Sequence, residues 1–386
     1  MMARFALAAP KIFDGEEWHE DSALLVADGS VQAVVPRAEL AAGTPVEEHD
    51  GMLVPGFVDL QVNGGGGVML NDRQDAEAIR TICAAHARFG TTALLPTLIT
   101  DRPEVTGRAI EAGVAAARER VPGFAGLHLE GPHLSLARKG AHDPGLIRPM
   151  TQTGQDLLLK ARSRLPALLT TIAPESVSPS QVSALAAAGI VVSLGHSDTT
   201  YETALAYAEA GATVATHLFN AMSQIGNREP GLAGAAIGSG KLWAGLIADG
   251  VHVHPTTIDI ALRAKSGPAK IFLVTDAMST IGTDMTSFTL NGRTIRRENG
   301  RLTLEGGTLA GADLDMISAV RLVQREVGVS LGEALRMASL YPAQALGVDD
   351  RHGRLRRGSR ADVVCLSAGL DVRKVWIEGE PAFEAG

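Results

Sequence analysis

The sequence predicts an α/β fold: a (β/α)₈ TIM-like barrel joined to a small β-sandwich domain built from both chain termini. Three observations carry this. Eight apolar runs of strand length recur through the middle of the 386-residue chain, with helical patterns filling most gaps between them. Six of the runs end in or next to Asn, Glu, His or Asp, and in a barrel those C-terminal ends share one mouth. The two ends of the chain read as short strands with turn punctuation, so they can pair around a central insertion. A doubly wound sheet is the competing arrangement, and the placement of the polar residues favours the barrel.

The expected barrel strands are 57–62, 92–98, 124–129, 168–172, 190–194, 213–218, 244–248 and 271–275. Helical periodicity falls at 76–89, 104–120, 155–164, 179–188, 200–210 and 257–265, and again at 316–327 and 332–346. Before the barrel, Asp14-Gly15 and Asp28-Gly29 are hairpin signals around the β-rich runs 23–26 and 31–35. After it, 361–366 and 372–377 are strand-like. Two Asn-Gly turns, at Asn291-Gly292 and Asn299-Gly300, predict a small β meander inserted before the last helices. The expected division is 1–54 with 347–386 as the small β domain and 55–346 as the catalytic barrel.

Composition narrows the function. The formal charge is −8 and there is no Lys/Arg block, which argues against nucleic acid as the main partner. Met1 to Pro10 lacks an apolar run of signal length, and no stretch of eighteen apolar residues exists, so no membrane is expected. The two cysteines, Cys83 and Cys365, form no Cys-x-x-Cys pair, which excludes a zinc ribbon or a thioredoxin-type redox site. The expected location is a reducing compartment, the cytoplasm.

The chemistry-bearing residues sit at the strand ends: Gln61 and Asn63, Glu130, Glu175, His196, His217, Asp249 with His252, and Asp276. One strand-end histidine is more often packed or capping than functional. Four such coincidences together read differently. His196 and His217 are about one βα unit apart, so they lie on adjacent strands at similar height. With Glu130 they form a His₂Glu set, a catalytic zinc donor set that leaves one position open. Asp276 ends the last strand, where a carboxylate can take a proton from an attacking water and return it to a leaving group. The run Gly64–Gly67 follows the first strand without any P-loop context and reads as turn glycines rather than a phosphate cradle. Lys139-Gly-Ala-His142 and Asn227-Arg228-Glu229-Pro230 lie in loops leaving the mouth, and a cation there can bind an anionic group. Glu175 and His86 read as structural or supporting residues.

Together these motifs resemble the amidohydrolase superfamily and, within it, the family of N-acetylglucosamine-6-phosphate deacetylases. The segments that carry the resemblance are Pro55-Gly-Phe-Val-Asp59, His128-Leu-Glu-Gly-Pro-His133, Lys139-Gly-Ala-His142, Leu194-Gly-His-Ser197, Thr216-His-Leu-Phe-Asn-Ala-Met222, Asp249-Gly-Val-His252, Thr275-Asp-Ala-Met278 and Leu309-Ala-Gly311. The resemblance implies Glu130, His196 and His217 as metal ligands, Asp276 as the catalytic acid/base and His142 as a second catalytic group. It implies Ala141, His142, Asn220, Ala221, Arg228, His252, Leu309, Ala310 and Gly311 as substrate contacts, with Gln61 and Asn63 beside them. The cofactor is one divalent metal ion per chain, with Zn²⁺ expected, and the substrate is a small sugar phosphate. The resemblance also implies a homodimer, part of the phosphate site coming from the neighbouring subunit. Two departures stand out. Many amidohydrolases carry His-x-His on the first strand, and Gln61-Val-Asn63 replaces it here; amides are weak partners for such metals. Ala312 replaces a serine common in the family, whereas Asp315 can still cap the next helix. The rival readings are a deacetylase for another N-acetylhexosamine-6-phosphate, such as the galactosamine epimer, a cyclic-amidase relative, and a non-catalytic scaffold.

Overall fold

The computed structural model describes residues 5–386; residues 1–4, part of the segment read for a targeting signal, lie outside it. Eight parallel strands run in chain order: Phe57–Val62, Thr91–Ile99, Leu127–Glu130, Leu168–Ile172, Val191–Leu194, Val214–Ala215, Trp243–Leu246 and Ile271–Leu273. Each pairs with the next, and a parallel bridge from Val62 to Ala277 brings the first strand against the chain leaving the eighth. All eight expected strands are present. Several stop early because the chain turns away at the functional positions. The sixth covers only Val214–Ala215, since His217 leaves it in a left-handed conformation with φ of 27°.

Helices Ala76–Ala87, Pro103–Arg118, Gln152–Arg162, Pro179–Ala187, Tyr201–Glu209 and Pro255–Ala264 occupy the expected gaps. Their starts follow from capping chemistry. The Asp75 carboxylate accepts the Ala78 N–H, and Ser178 with Gln181 makes a reciprocal capping box ahead of Pro179. One barrel helix, Gly231–Gly238, carries no amphipathic signal. Gly231, Leu232, Ala233, Ala235, Ala236 and Ile237 are all buried, so no polar face marks its period. The expected helix at 332–346 is two, Leu331–Ala338 and Leu340–Leu346. The break at Ser339 precedes Pro342, which has no N–H to continue the ladder. Asp315 does cap the helix Met316–Leu322, accepting the Ser318 N–H at 2.8 Å.

Strands Phe5–Phe13, Trp18–Ala27, Ser30–Pro36, Val46–Glu48 and Met52–Pro55 join Val363–Leu366, Val372–Ile377 and Glu380–Glu384 in one eight-stranded sheet. The two chain ends meet where Met52–Pro55 pairs antiparallel with Val363–Leu366. Leu7, Leu24, Leu53, Val363 and Trp376 share one buried cluster on that sheet. Asp28 and Gly29 take φ of 49° and 71°, the paired left-handed geometry of a two-residue hairpin turn. The inserted meander is Ser287–Leu290, Arg293–Glu298 and Arg301–Leu304, turning at Asn291-Gly292 and Asn299-Gly300. Among the described residues, no helix is long and apolar enough to cross a membrane.

Candidate metal centre

Glu130 ends the third barrel strand, and His196 and His217 follow the fifth and sixth. Their donor atoms converge. Glu130 Oε1 lies 3.2 Å from His196 Nε2 and 3.1 Å from His217 Nε2, and the two Nε2 atoms are 3.1 Å apart. The remaining ring nitrogens settle the tautomers. His196 Nδ1–H donates to the Arg138 carbonyl at 2.9 Å, and His217 Nδ1–H donates to the Asn220 carbonyl at 3.2 Å. Both Nε2 lone pairs therefore face one point beside a carboxylate, an arrangement that a proton or a metal cation must reconcile. Burial alone would lower the pKa of His217, but the Glu130 hydrogen bond and charge outweigh it and raise it. Burial opposes ionisation of Glu130, yet the His196 and His217 imidazoles, when protonated against it, hold its carboxyl well below the usual carboxylate range. The donor set fits a divalent cation bound by two imidazoles and a carboxylate.

His142 is also close. Glu130, His142 and His196 present donor atoms within 4.8 Å of one another, which makes them an alternative triad. The hydrogen bonds of His142 distinguish it from the other two rings. The Thr100 N–H donates to His142 Nδ1 at 3.3 Å, so Nδ1 is the acceptor and Nε2 carries the proton. That Nε2–H lies 3.8 Å from Glu130 Oε2. Burial, with the nearby imidazoles, pushes the His142 pKa down to about 3, so the ring is neutral. It is arranged as a hydrogen-bond donor, whereas His196 and His217 are arranged as ligands.

Asp276 follows the eighth strand with φ of 52°. Its Oδ1 accepts from Asn63 Nδ2 at 2.7 Å and from Gln61 Nε2 at 3.1 Å. Gln61 Nε2 also reaches Glu130 Oε1 at 3.0 Å, so one amide links the Asp276 and Glu130 carboxylates. Burial, then the charge of Glu130, pushes the Asp276 carboxyl up to about 6. His196, His217, Ala221 and Asp276 all have positive φ. Such backbone costs roughly 1–3 kcal/mol per residue and concentrates at functional sites. A buried polar belt supports the site from below: Thr97 contacts His128, His128 contacts Thr171, and Thr171 and Ser193 both contact Thr216.

These groups surround a cavity of about 160 Å³. Asn63, Glu130, Ala141, His142, His196 and His217 line it, as do Asn220, Ala221, His252, Asp276, Leu309 and Gly311. His252 Nδ1 contacts Asp249 Oδ2 at 2.6 Å, so Nε2 is the ring nitrogen not engaged by that carboxylate. Gln61 acts on the site through Glu130 and Asp276 rather than from the wall. Ala310 is fully buried and packs with Met278 and Leu302 behind the wall. Arg228 is exposed and outside this cavity. The N–H groups of Gly64, Gly66 and Gly67 donate to Ala277, Ile281 and Ser279 carbonyls, so the glycine run serves the loop after the eighth strand. Glu175 accepts from Ser197 Oγ and the Asp198 N–H, and His86 Nε2 meets the Gly64 carbonyl.

Sequence reasoning missed Ile99, Ile247, Met278 and Leu290 on the wall and Thr100 behind His142. The first four are ordinary apolar residues. Leu290 comes from the inserted meander, and nothing local signals that this element reaches the mouth.

The defining sequence pattern of the amidohydrolase family matches residues 52–382. N-acetylgalactosamine-6-phosphate deacetylase of Shewanella sp. (strain ANA-3) is 44% identical over 369 residues, 95% of this chain and 93% of that one. The crystal structure of N-acetylglucosamine-6-phosphate deacetylase from Pasteurella multocida superposes with a TM-score of 0.94 at 32% identity, covering 98% of this chain and 99% of that one. A mutant of the Mycobacterium smegmatis N-acetyl-D-glucosamine-6-phosphate deacetylase, in complex with N-acetyl-D-glucosamine-6-phosphate, superposes with a TM-score of 0.91 at 33% identity, covering 98% and 99%.

Proposed function

The chain belongs to the amidohydrolase family, and from that premise we propose that it hydrolyses the acetamide of N-acetylglucosamine-6-phosphate to glucosamine-6-phosphate and acetate, in amino-sugar catabolism. The observation that carries the reading is the convergence of Glu130, His196 and His217, with Asp276 and His142 beside them, on one cavity. Glu130, His196 and His217 would hold one divalent ion per chain, Zn²⁺ by their donor chemistry. When bound, such an ion acts as a Lewis acid and makes water acidic enough to attack near neutral pH.

The chain's own groups supply the rest. Asp276, aimed by Asn63 and Gln61, takes a proton from the attacking water. The neutral His142 donates its Nε2–H to the acetamide oxygen as negative charge develops there. Protonated Asp276 then gives its proton to the sugar nitrogen, the C–N bond breaks, and acetate and the amine leave. His252, Asn220 and Ala221 form the sugar side, and binding of the remote phosphate supplies orientation. Arg228 lies outside its own cavity, and in the homodimer we propose it reaches the phosphate bound to the neighbouring subunit. Two buried free cysteines fit a cytoplasmic enzyme.

A second reading, the galactosamine epimer as substrate, is favoured by the 44% identity to the Shewanella enzyme. Acetate release from both hexosamine 6-phosphates, with metal content measured on the same sample, decides between them. The higher kcat/KM identifies the substrate, and no acetate from either overturns the deacetylase reading.

A further inference from the structure

Asp59 is fully buried in the first barrel strand and belongs to none of the roles above. Its surroundings are irregular. The ladder to the second strand shifts register between Asp59 and Val62, where the partner is Pro96, which has no N–H. Ladder pairing between the first and eighth strands is absent among the described residues. The backbone contacts there among the described residues are the Val62–Ala277 bridge, the Asp276 N–H to the Gln61 carbonyl, and the N–H groups of Asn63 and Gly64 to the Ala277 carbonyl. Both irregularities leave backbone donors without ladder partners, and a buried N–H needs an acceptor.

The Asp59 carboxylate accepts them. Oδ1 takes the Gln61 N–H at 3.2 Å and the Thr275 N–H at 3.3 Å, while Oδ2 meets the Thr275 hydroxyl at 2.6 Å. Gln61 and Thr275 are the residues that set Asp276. Thr275 precedes it, and Gln61 receives its N–H and donates to its carboxylate. We propose that Asp59 is a positioning residue for Asp276: its carboxylate replaces missing backbone pairing at the barrel seam and so keeps the Asp276 carboxylate against Asn63 and Gln61. It touches no reacting atom and acts only through the seam. The kinetic part rests on the reading of Asp276 as the proton carrier; the geometric part does not.

The test combines crystal structures and kinetics of the metal-loaded enzyme. Asp59→Leu leaves the Gln61 and Thr275 N–H groups unsatisfied and should break the 2.7 Å contact between Asp276 and Asn63. It should lower kcat at least ~10-fold with KM within about twofold, as expected for a group that acts on the transition state rather than on binding. Asp59→Asn keeps an acceptor for both N–H groups and should stay within about threefold of wild type. Made in an Asp276→Asn background, Asp59→Leu should add no further loss, because it acts through a proton carrier already removed. Thr275→Val removes one link of the same chain and serves if Asp59→Leu does not fold. An Asp276 carboxylate still on Asn63 in folded Asp59→Leu, or in Thr275→Val if Asp59→Leu does not fold, overturns the proposal, as does a loss that multiplies with that of Asp276→Asn. Wild-type enzyme that releases no acetate overturns the function reading instead, and the crystal structures still decide the seam.

Discussion

Two histidines that touch the same carboxylate should behave differently when removed. His217 offers an Nε2 lone pair to the proposed ion, so His217→Ala should lose metal and activity together. His142 offers a proton, so His142→Ala should keep one equivalent of metal after exhaustive dialysis while kcat falls by roughly 10²–10³, the loss usual for an oxyanion donor. Elemental analysis and initial rates on both variants check this. Loss of metal in His142→Ala would show instead that the Glu130–His142–His196 triad holds the ion. Asp276→Asn should likewise retain metal and substrate, yet lose at least ~10² in kcat. Turnover near wild type in that variant would remove Asp276 from the chemistry. Gln61→Ala should also keep the ion, since its amide contacts the carboxylates of Glu130 and Asp276 by hydrogen bonds.

The first barrel strand carries its own pH dependence. Burial pushes the Asp59 carboxyl up to about 7, against hydrogen bonds from Thr275 and Gln61. An unfolded aspartate titrates near 3.9, so between roughly pH 4 and 7 the folded state holds a proton that the unfolded state has released. Stability from this group therefore falls as pH rises through that window and levels off above it. Asp59→Asn cannot ionise and should gain melting temperature relative to wild type as pH goes from 5 to 8. Thermal melts of both proteins across that range measure the difference. A constant offset would mean that Asp59 is already ionised at pH 5. An offset that shrinks from pH 5 to 8 would assign the pH dependence to a group other than Asp59. The loop after the sixth strand shows the same tension between stability and function. His217, Phe219 and Ala221 all have positive φ there, and that geometry brings His217 Nε2 to Glu130.

Across the whole molecule, the cavity holds the hydrolytic groups but lacks Arg228, which is exposed on the loop that also presents Ile225, 56% exposed. If a second subunit completes the phosphate site, Arg228→Ala should reduce kcat/KM for the 6-phosphate about ten- to a hundredfold, the worth of a charge-assisted hydrogen bond. The unphosphorylated sugar should be nearly unaffected. Rates on the two substrates, alongside sedimentation of the protein, check both halves. Equal losses on the two substrates would assign Arg228 a structural role, and a fully active monomer would overturn the shared phosphate site.

How much was legible depended on whether the signal was local. Strand-length apolar runs are buried on both faces of a parallel barrel, so all eight could be read, and turn pairs such as Asn291-Gly292 announce themselves by their left-handed geometry. The helix Gly231–Gly238 could not be read, because burial on every side erases its period. Glu130, His196, His217 and Asp276 were legible because a polar residue at the end of an apolar strand is a local contrast. What they do to one another was not. That His142 donates while His196 and His217 accept depends on Thr100, Arg138 and Asn220, each brought up by a different loop. The barrel, its polar mouth and the residue types gathered there can be read from the chain alone, since burial and turn chemistry act over a few residues. Tautomers, the shifts of the buried carboxyl groups and the hydrogen bonds of Asp59 across the seam emerge with the folded chain. Those follow from hydrogen bonds between atoms far apart in the chain, such as Asp59 and Thr275, whose meeting no local pattern encodes.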